Sequence, residues 1–239
     1  MLDNVLIFDV WGKQAHFKKI YLTTSALSYG VPFKTSVYGL VGAILGLDNH
    51  NNEYLNSFNE NTCKVAIEVR RPIKYQRINT NFSPNPGAIK NSRKPTMMEF
   101  VTNPYYRIYF WNKNPELMDK LSFALINKYS VYTPVLGLAH CLANFKYIDK
   151  AKIESKKGNA LVHSVIPKSQ LDSFDQDYWL DQEIHIQEQD MYPLEMNNQR
   201  EVIKRDSILY DVNGKALKVI TKSHFELLVD EQKKGIMLM

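Results

Sequence analysis

Hydrophobic and polar positions alternate along this chain in short, strand-like periods more often than in helical ones. Val5-Leu-Ile-Phe-Asp-Val-Trp11 is rich in β-branched and aromatic residues and stops at Gly12, which predicts a largely buried first strand. Turn and loop chemistry follows over residues 13–33, in Thr23-Thr-Ser25 and Tyr29-Gly-Val-Pro32. A helix is predicted next, capped at Thr35 or Ser36. Gly39 and Gly42 lie inside it, and each costs about 1 kcal/mol relative to alanine. Such a pair implies close approach of a ligand or of another backbone, tight helix-on-sheet packing being the simpler reading.

After the polar loop Asp48–Asn52, Cys63–Val69 alternates as a half-buried strand should. Residues 70–95 carry Pro72, Pro84, Pro86, Gly87 and Pro95 and read as a long excursion from the sheet. Met98–Trp111, interrupted at Asn103-Pro104, returns as an aromatic strand. Pro115 then opens a helix to about Tyr129, with Leu117, Leu121, Leu125 and Ile126 on one side. Strands are expected at 145–153 and 160–166, separated by Lys156-Lys-Gly-Asn159, and a hairpin over 205–220 turning at Asn213-Gly214. The order β-α-β-β-α, completed by a fourth core strand, predicts an α+β, ferredoxin-like split βαβ arrangement.

The chain's 239 residues, 44% hydrophobic and 23% charged, suffice for one domain with an appendage or for two small domains. They exclude disorder, collagen and coiled coil. The formal charge of +5 is less informative than its distribution. Residues 1–157 hold 21 basic and 11 acidic side chains, and 158–239 hold 9 and 14. The candidate binding half is therefore the first. Residues 171–201 carry nine acids against Arg200 alone and read as a solvated or subunit-facing segment. Cys63 and Cys141 suit neither a disulfide framework nor a zinc site and are expected to be small buried hydrophobes in a reducing cytoplasm. A leader or membrane span is not expected, because Asp3 precedes the first apolar run and no run reaches 18 residues.

Phosphate-loop, nucleophile-elbow, zincin and dinucleotide motifs are missing. The six histidines are scattered, and His185 in Glu183-Ile-His-Ile-Gln187 fits a strand face better than a metal ligand. No metal or cofactor is expected. Residues 62–113 are different, with ten lysines and arginines against Glu68 and Glu99, interleaved with Tyr75, Phe82, Phe100, Tyr105, Tyr106, Tyr109, Phe110 and Trp111. Cations neutralise phosphates while aromatic faces stack unpaired bases, so the 70–94 excursion is a candidate nucleic-acid contact. Tyr109–Trp111 is better read as core.

Three ordered blocks carry a resemblance. The first is Leu6-Ile-Phe-Asp-Val-Trp-Gly-Lys-Gln-Ala-His-Phe17 with Thr23–Tyr29 and Pro32–Gly46. The second is Pro95–Phe100 with Asn103–Phe110, and the third is Thr133–Ala143. Over residues 2–155 the sequence resembles the CRISPR-associated protein five family. These are RAMP-superfamily subunits of type I Cascade surveillance complexes, and subtype I-B is the most similar.

The resemblance implies a ferredoxin-like (RRM-like) RAMP core over 1–155, with a β-hairpin thumb at 70–97, and a mostly β extension over 156–239. It implies a subunit that grips the 5′ handle of the CRISPR RNA, caps the backbone filament and wedges the handle/spacer boundary. Its partners would be the Cascade backbone subunit, the large PAM-reading subunit and the target DNA bound by the complex, with no membrane. Arg70, Arg71, Lys74, Arg77, Lys90, Arg93 and Lys94 are the candidate phosphate contacts. Trp11, His16, Phe17 and Tyr29 are candidate base contacts, with Lys18, Lys34, Thr35 and Ser36 near the helix start. Gly137 permits close backbone approach, and His140 either reaches a phosphate or is a satisfied, half-buried histidine. Trp11 is equally a core candidate. The I-C branch of the family contains metal-independent endoribonucleases, for which His16, Tyr29 and Lys18 could serve as base, acid and cation. Because a separate endonuclease normally processes the guide in I-B systems, binding is the expected role and catalysis the alternative.

Overall fold

The computed structural model describes residues 3–19, 26–52, 54–82 and 94–239. Its centre is a four-stranded antiparallel sheet of β1 (Asn4–Gly12), β2 (Cys63–Val69), β5 (Tyr105–Asn112) and β6 (Ala143–Lys152), in the order β2-β5-β1-β6. Helix α1 (Lys34–Leu45) connects β1 to β2, and α2 (Pro115–Ile126) connects β5 to β6. This is the ferredoxin-like split βαβ order that the periodicity predicts. Leu6, Phe8 and Val10 face the helices together with Val65, Ile67, Tyr106, Ile108 and Phe110. They pack against Val37, Tyr38, Val41 and Ile44 of α1 and Leu117, Leu121 and Leu125 of α2. The α2 cap is local, since Asn114 Oδ1 accepts from the Glu116 and Leu117 amides at 3.0 and 3.4 Å, just ahead of Pro115.

Between β2 and β5 the chain leaves the sheet as an antiparallel ribbon of β3 (Tyr75–Phe82) and β4 (Lys94–Thr102). Met98–Trp111 is therefore two strands rather than one interrupted strand. Asn103 adopts left-handed backbone (φ 47°), and Pro104 breaks the pairing between the ribbon and the core.

The sheet's second face is buried by the C-terminal strands. Val5, Ile7, Ala66 and Tyr109 pack against Leu227 and Val229 of β10 (Leu217–Val229), and against Ile236 and Leu238 in and after β11 (Gln232–Ile236). β10 also pairs with β7 (Glu154–Val162). β8 (Ile186–Met196) and β9 (Val202–Asp211) form a further antiparallel pair that lies along α1. Tyr192, Leu194, Ile208 and Tyr210 of this pair belong to the main core. Among the described residues no helix is long and apolar enough to cross a membrane.

Several expectations are corrected here. α1 starts at Lys34 and its N-cap is Phe33, two or three residues before the expected Thr35 or Ser36; Phe33 makes no side-chain cap bond. Gly39 faces open space and Gly42 makes only ordinary contacts, the nearest to the Tyr54 ring, so neither marks tight packing. Lys156–Asn159 lies inside β7, whose register shifts there, rather than in a turn. Asn213-Gly214 links β9 and β10, which belong to different sheets, and is not a hairpin turn. Asp211 organises that turn by accepting from the Asn213 and Lys215 amides, while Gly214 (φ 81°) lies against the Val69 carbonyl where a Cβ would not fit. The turn chemistry was real, but strands must also share a sheet to make a hairpin.

The acidic segment is largely solvated as expected, with seven of its nine acids exposed and Asp175 half-buried, but Glu195 is buried. Lys34 sits at the α1 N-terminus, where the helix dipole disfavours a cation and the first turn holds no acid. Its ammonium is buried and ion-paired with buried Glu195 from β8. Removing one partner leaves an uncompensated charge in the interior. Glu195→Gln is therefore expected to destabilise the fold by about 3–5 kcal/mol, and Lys34→Met with Glu195→Leu to recover most of that loss. Urea unfolding of the three proteins measures both.

Candidate nucleic-acid interface

The ribbon, its anchor and one loop come together at the end of the sheet where β1 finishes. Gln14–Ala15 pairs with the base of β4, and the Thr102 amide donates to the Lys74 carbonyl at 2.8 Å. Glu99 is the knot of this anchor. Its carbonyl accepts from His16 Nδ1 at 2.7 Å, and its carboxylate accepts from the Ser28 amide at 3.3 Å and from Arg77 Nε at 3.1 Å. Its own amide donates to the Ala26 carbonyl at 2.9 Å. His16 lies 5.6 Å from the Phe100 ring, and exposed His140 meets the same ring edge-on at 5.8 Å. Gly137 (φ 97°) lies directly under the His16 carbonyl, so the approach it permits is to the chain itself. Exposed Lys18 and Arg77 complete the basic surround, with exposed Lys74 at the start of the ribbon.

Because its acceptor is a carbonyl, His16 Nδ1 carries the proton. Burial, reinforced by Lys18, holds the ring below its ordinary titration range, with the Glu99 carbonyl pulling the other way. At neutral pH His16 is an uncharged anchor of the ribbon and not a phosphate clamp.

Burial also removes other expected contacts. Phe17 and Tyr29 are core residues, and Tyr29 Oη donates to the Asp190 carbonyl at 2.7 Å. Lys34 is held by Glu195, and Thr35 is buried inside the first turn of α1; half-buried Ser36 follows it. Of the three residues that could have formed an acid–base site, only Lys18 is exposed. Lys90 and Arg93 lie outside the described residues, as does the Lys94 side chain.

A second group lies on the sheet's other face, beyond the C-terminal cover. Trp11 is half-buried, with its ring 5.6 Å from Tyr105 and inclined to it by 19°. The Arg71 guanidinium lies 5.6 Å from the centre of the Tyr105 ring and donates to the Asn103 carbonyl at 3.2 Å. Arg70 is exposed but paired with Glu68 at 2.7 Å. Burial pushes the Glu68 carboxyl up, yet Lys234, Tyr109 and Arg70 outweigh it and hold the group below the usual carboxylate range. Tyr105 is the residue that sequence reasoning placed among the aromatics without assigning it a role. Its cross-strand pairing with Trp11 is legible only once the register is known.

A family model described as CRISPR-associated protein (Cas_Cas5) matches residues 5–209. A search of curated proteins by sequence returns no match. Among solved structures the chain is similar to a CRISPR protein from Archaeoglobus fulgidus, at 13% identity and TM-score 0.54, covering 98% of this chain and 97% of that one. It is also similar to a chain of a CRISPR RNA-guided surveillance complex, at 10% identity and TM-score 0.50, covering 90% and 91%. What these likenesses show is a shared fold.

Burial lowers the pKa of His163 and His224 as it does that of His16. All three favour the neutral ring when folded, so the unfolded chain binds protons first on acidification. Their contribution to stability is complete above their unfolded value of 6.5 and is lost as pH falls through the lower folded values. Thermal unfolding from pH 7.5 to 5 should show a midpoint that declines below about 6.5.

Proposed function

Since the chain belongs to the CRISPR-associated Cas5 family, we propose that it holds the 5′ handle of a CRISPR RNA within a type I-B-like Cascade complex, where it caps the backbone filament. The β3–β4 ribbon acts as the thumb at the handle/spacer boundary. The observation that carries this reading is the placement of the ribbon. It leaves the core between β2 and β5 and is tied down by Glu99, with Arg71, Lys74, Arg77, Lys18 and His140 exposed around its base. An anchored ribbon can hold a bend in single-stranded RNA, and exposed cations around it can take the phosphates on either side. The backbone subunit and the large PAM-reading subunit are the protein partners of this role, and target DNA is met by the assembled complex.

The nuclease alternative requires His16, Tyr29 and Lys18 around one scissile phosphate. Tyr29 is spent on the Asp190 carbonyl and His16 on the Glu99 carbonyl, so no observation favours it over binding.

Two measurements test the role. Affinity for a single-stranded handle should fall with log salt by about 0.7 per neutralised phosphate, and a flat dependence would exclude an electrostatic grip. Replacing 79–97 with a tight turn spares the Arg77–Glu99 pair and buried Met98 and Phe100, so it should leave a folded protein by circular dichroism, yet assembled complexes should retain less guide or bind target DNA more weakly. Charge reversal at Arg71, Lys74 and Arg77 should reproduce part of that loss, and reversal at Lys233 should not. Normal guide loading and target binding by the folded, shortened protein would overturn the thumb assignment.

A further inference from the structure

The C-terminal strands cover the RRM-like face only part of the way. The cover ends at the turn between β10 and β11, where Asp230 accepts from Arg107 Nη1 at 2.5 Å. Arg107 also donates to Asp9 through Nε and Nη2, at 2.7 and 3.2 Å. Two residues further along the strands, at the next pair on this face, Tyr105 and Trp11 stand outside the cover, and neither ring belongs to a hydrophobic cluster of the described residues. Tyr105 Oη donates to Asp9 Oδ2 at 3.0 Å, so the buried charge row fixes the orientation of the ring above it.

The resulting order across the strands is Arg71, Tyr105, Trp11, each about one cross-strand spacing from the next. Tyr105 occupies one side of the indole. On the other side the cross-strand neighbour of Trp11 is Asn144, exposed and short, and Lys146, cross-strand from Asp9, is exposed beside it. We propose that this open side of Trp11 is a stacking position for one unpaired nucleobase of a single-stranded chain, with the Asn144 amide reading the base edge and Lys146 meeting the adjoining phosphate.

The chemistry of the row specifies the ligand class. A planar π-system continues a cation–aromatic–aromatic ladder, an amide carries both a donor and an acceptor, and an ammonium adds charge without geometry. An aliphatic ligand would make only apolar contact with the indole and would use neither the amide nor the ammonium. The position rests on the RNA-binding reading above, but it lies on the opposite face from the His16–Phe100–His140 group and is tested separately.

The full chain carrying Trp111→Phe and Trp179→Phe, so that Trp11 is the sole indole, is titrated with unlabelled single-stranded RNA and with DNA of the same sequence. The unsubstituted chain is titrated in parallel, and binding is followed independently by anisotropy of labelled copies. Trp11 emission should be quenched in step with binding. Trp11→Leu should weaken binding by about five- to a hundred-fold, with Arg71→Lys giving a smaller loss at an unchanged salt slope. Quenching by RNA alone assigns the position to the guide, and quenching by both assigns it to either strand. Binding with unaltered Trp11 emission and unaltered Trp11→Leu affinity overturns the stacking position and leaves the RNA-binding reading intact. Emission that responds only to the other Cascade proteins makes the rim a protein contact and overturns it too. An anisotropy signal that never rises, alone or in the assembled complex, removes the RNA-binding reading itself.

Discussion

A split βαβ sheet has two faces and helices for only one of them. Here the second face carries Val5, Ile7, Ala66 and Tyr109 but also Asp9, Glu68 and Arg107, so whatever buries it must bring apolar surface and opposite charge together. The C-terminal hairpin does both. Leu227, Val229 and Ile236 cover the apolar rows, Lys234 enters at Glu68, and Asp230 closes on Arg107. Partnering these charges is what makes their burial tolerable, since an unpaired one would cost several kcal/mol. The same constraint accounts for the Lys34–Glu195 pair on the helical side. The C-terminal half is thus the missing wall of the N-terminal core at two places.

That division of labour decides which surfaces are open. Most of the face on which RRM-like sheets lay bases is occupied, leaving only its rim. The ribbon end of the sheet stays accessible because the ribbon is fastened by backbone and carboxylate bonds at its base instead of by a covering layer.

What could be read from the chain alone was whatever depends on near neighbours. β1, Cys63–Val69 and the Pro115 helix follow from composition and period, and the ribbon follows from proline and charge in an otherwise apolar region. The misreadings share one cause. Lys34, Thr35, Phe17 and Tyr29 look like binding residues by type and by their place beside a glycine-rich helix, but their partners lie far away in sequence. Glu195 and Asp190 are each 161 residues from Lys34 and Tyr29. The acidic run is solvated except at Glu195, and a count of charges cannot tell which one faces inward. The Asn213-Gly214 turn was recognised by chemistry that is blind to which sheet the next strand will join.

The anchoring of the ribbon has a geometric consequence. Its register is set at the base, where Tyr75 faces Val101 and Arg77 faces Glu99, and nothing along β3 and β4 beyond Met98 pairs with the core sheet. Because side chains alternate with period two, inserting residues in pairs in both strands preserves which side chains point up and which down. Each such step would lengthen the ribbon by about 7 Å while leaving the pairing at its base unchanged. A ribbon of this design is a vernier: its reach can be reset in discrete increments by lengthening or shortening one element, with no change to the fold that presents it.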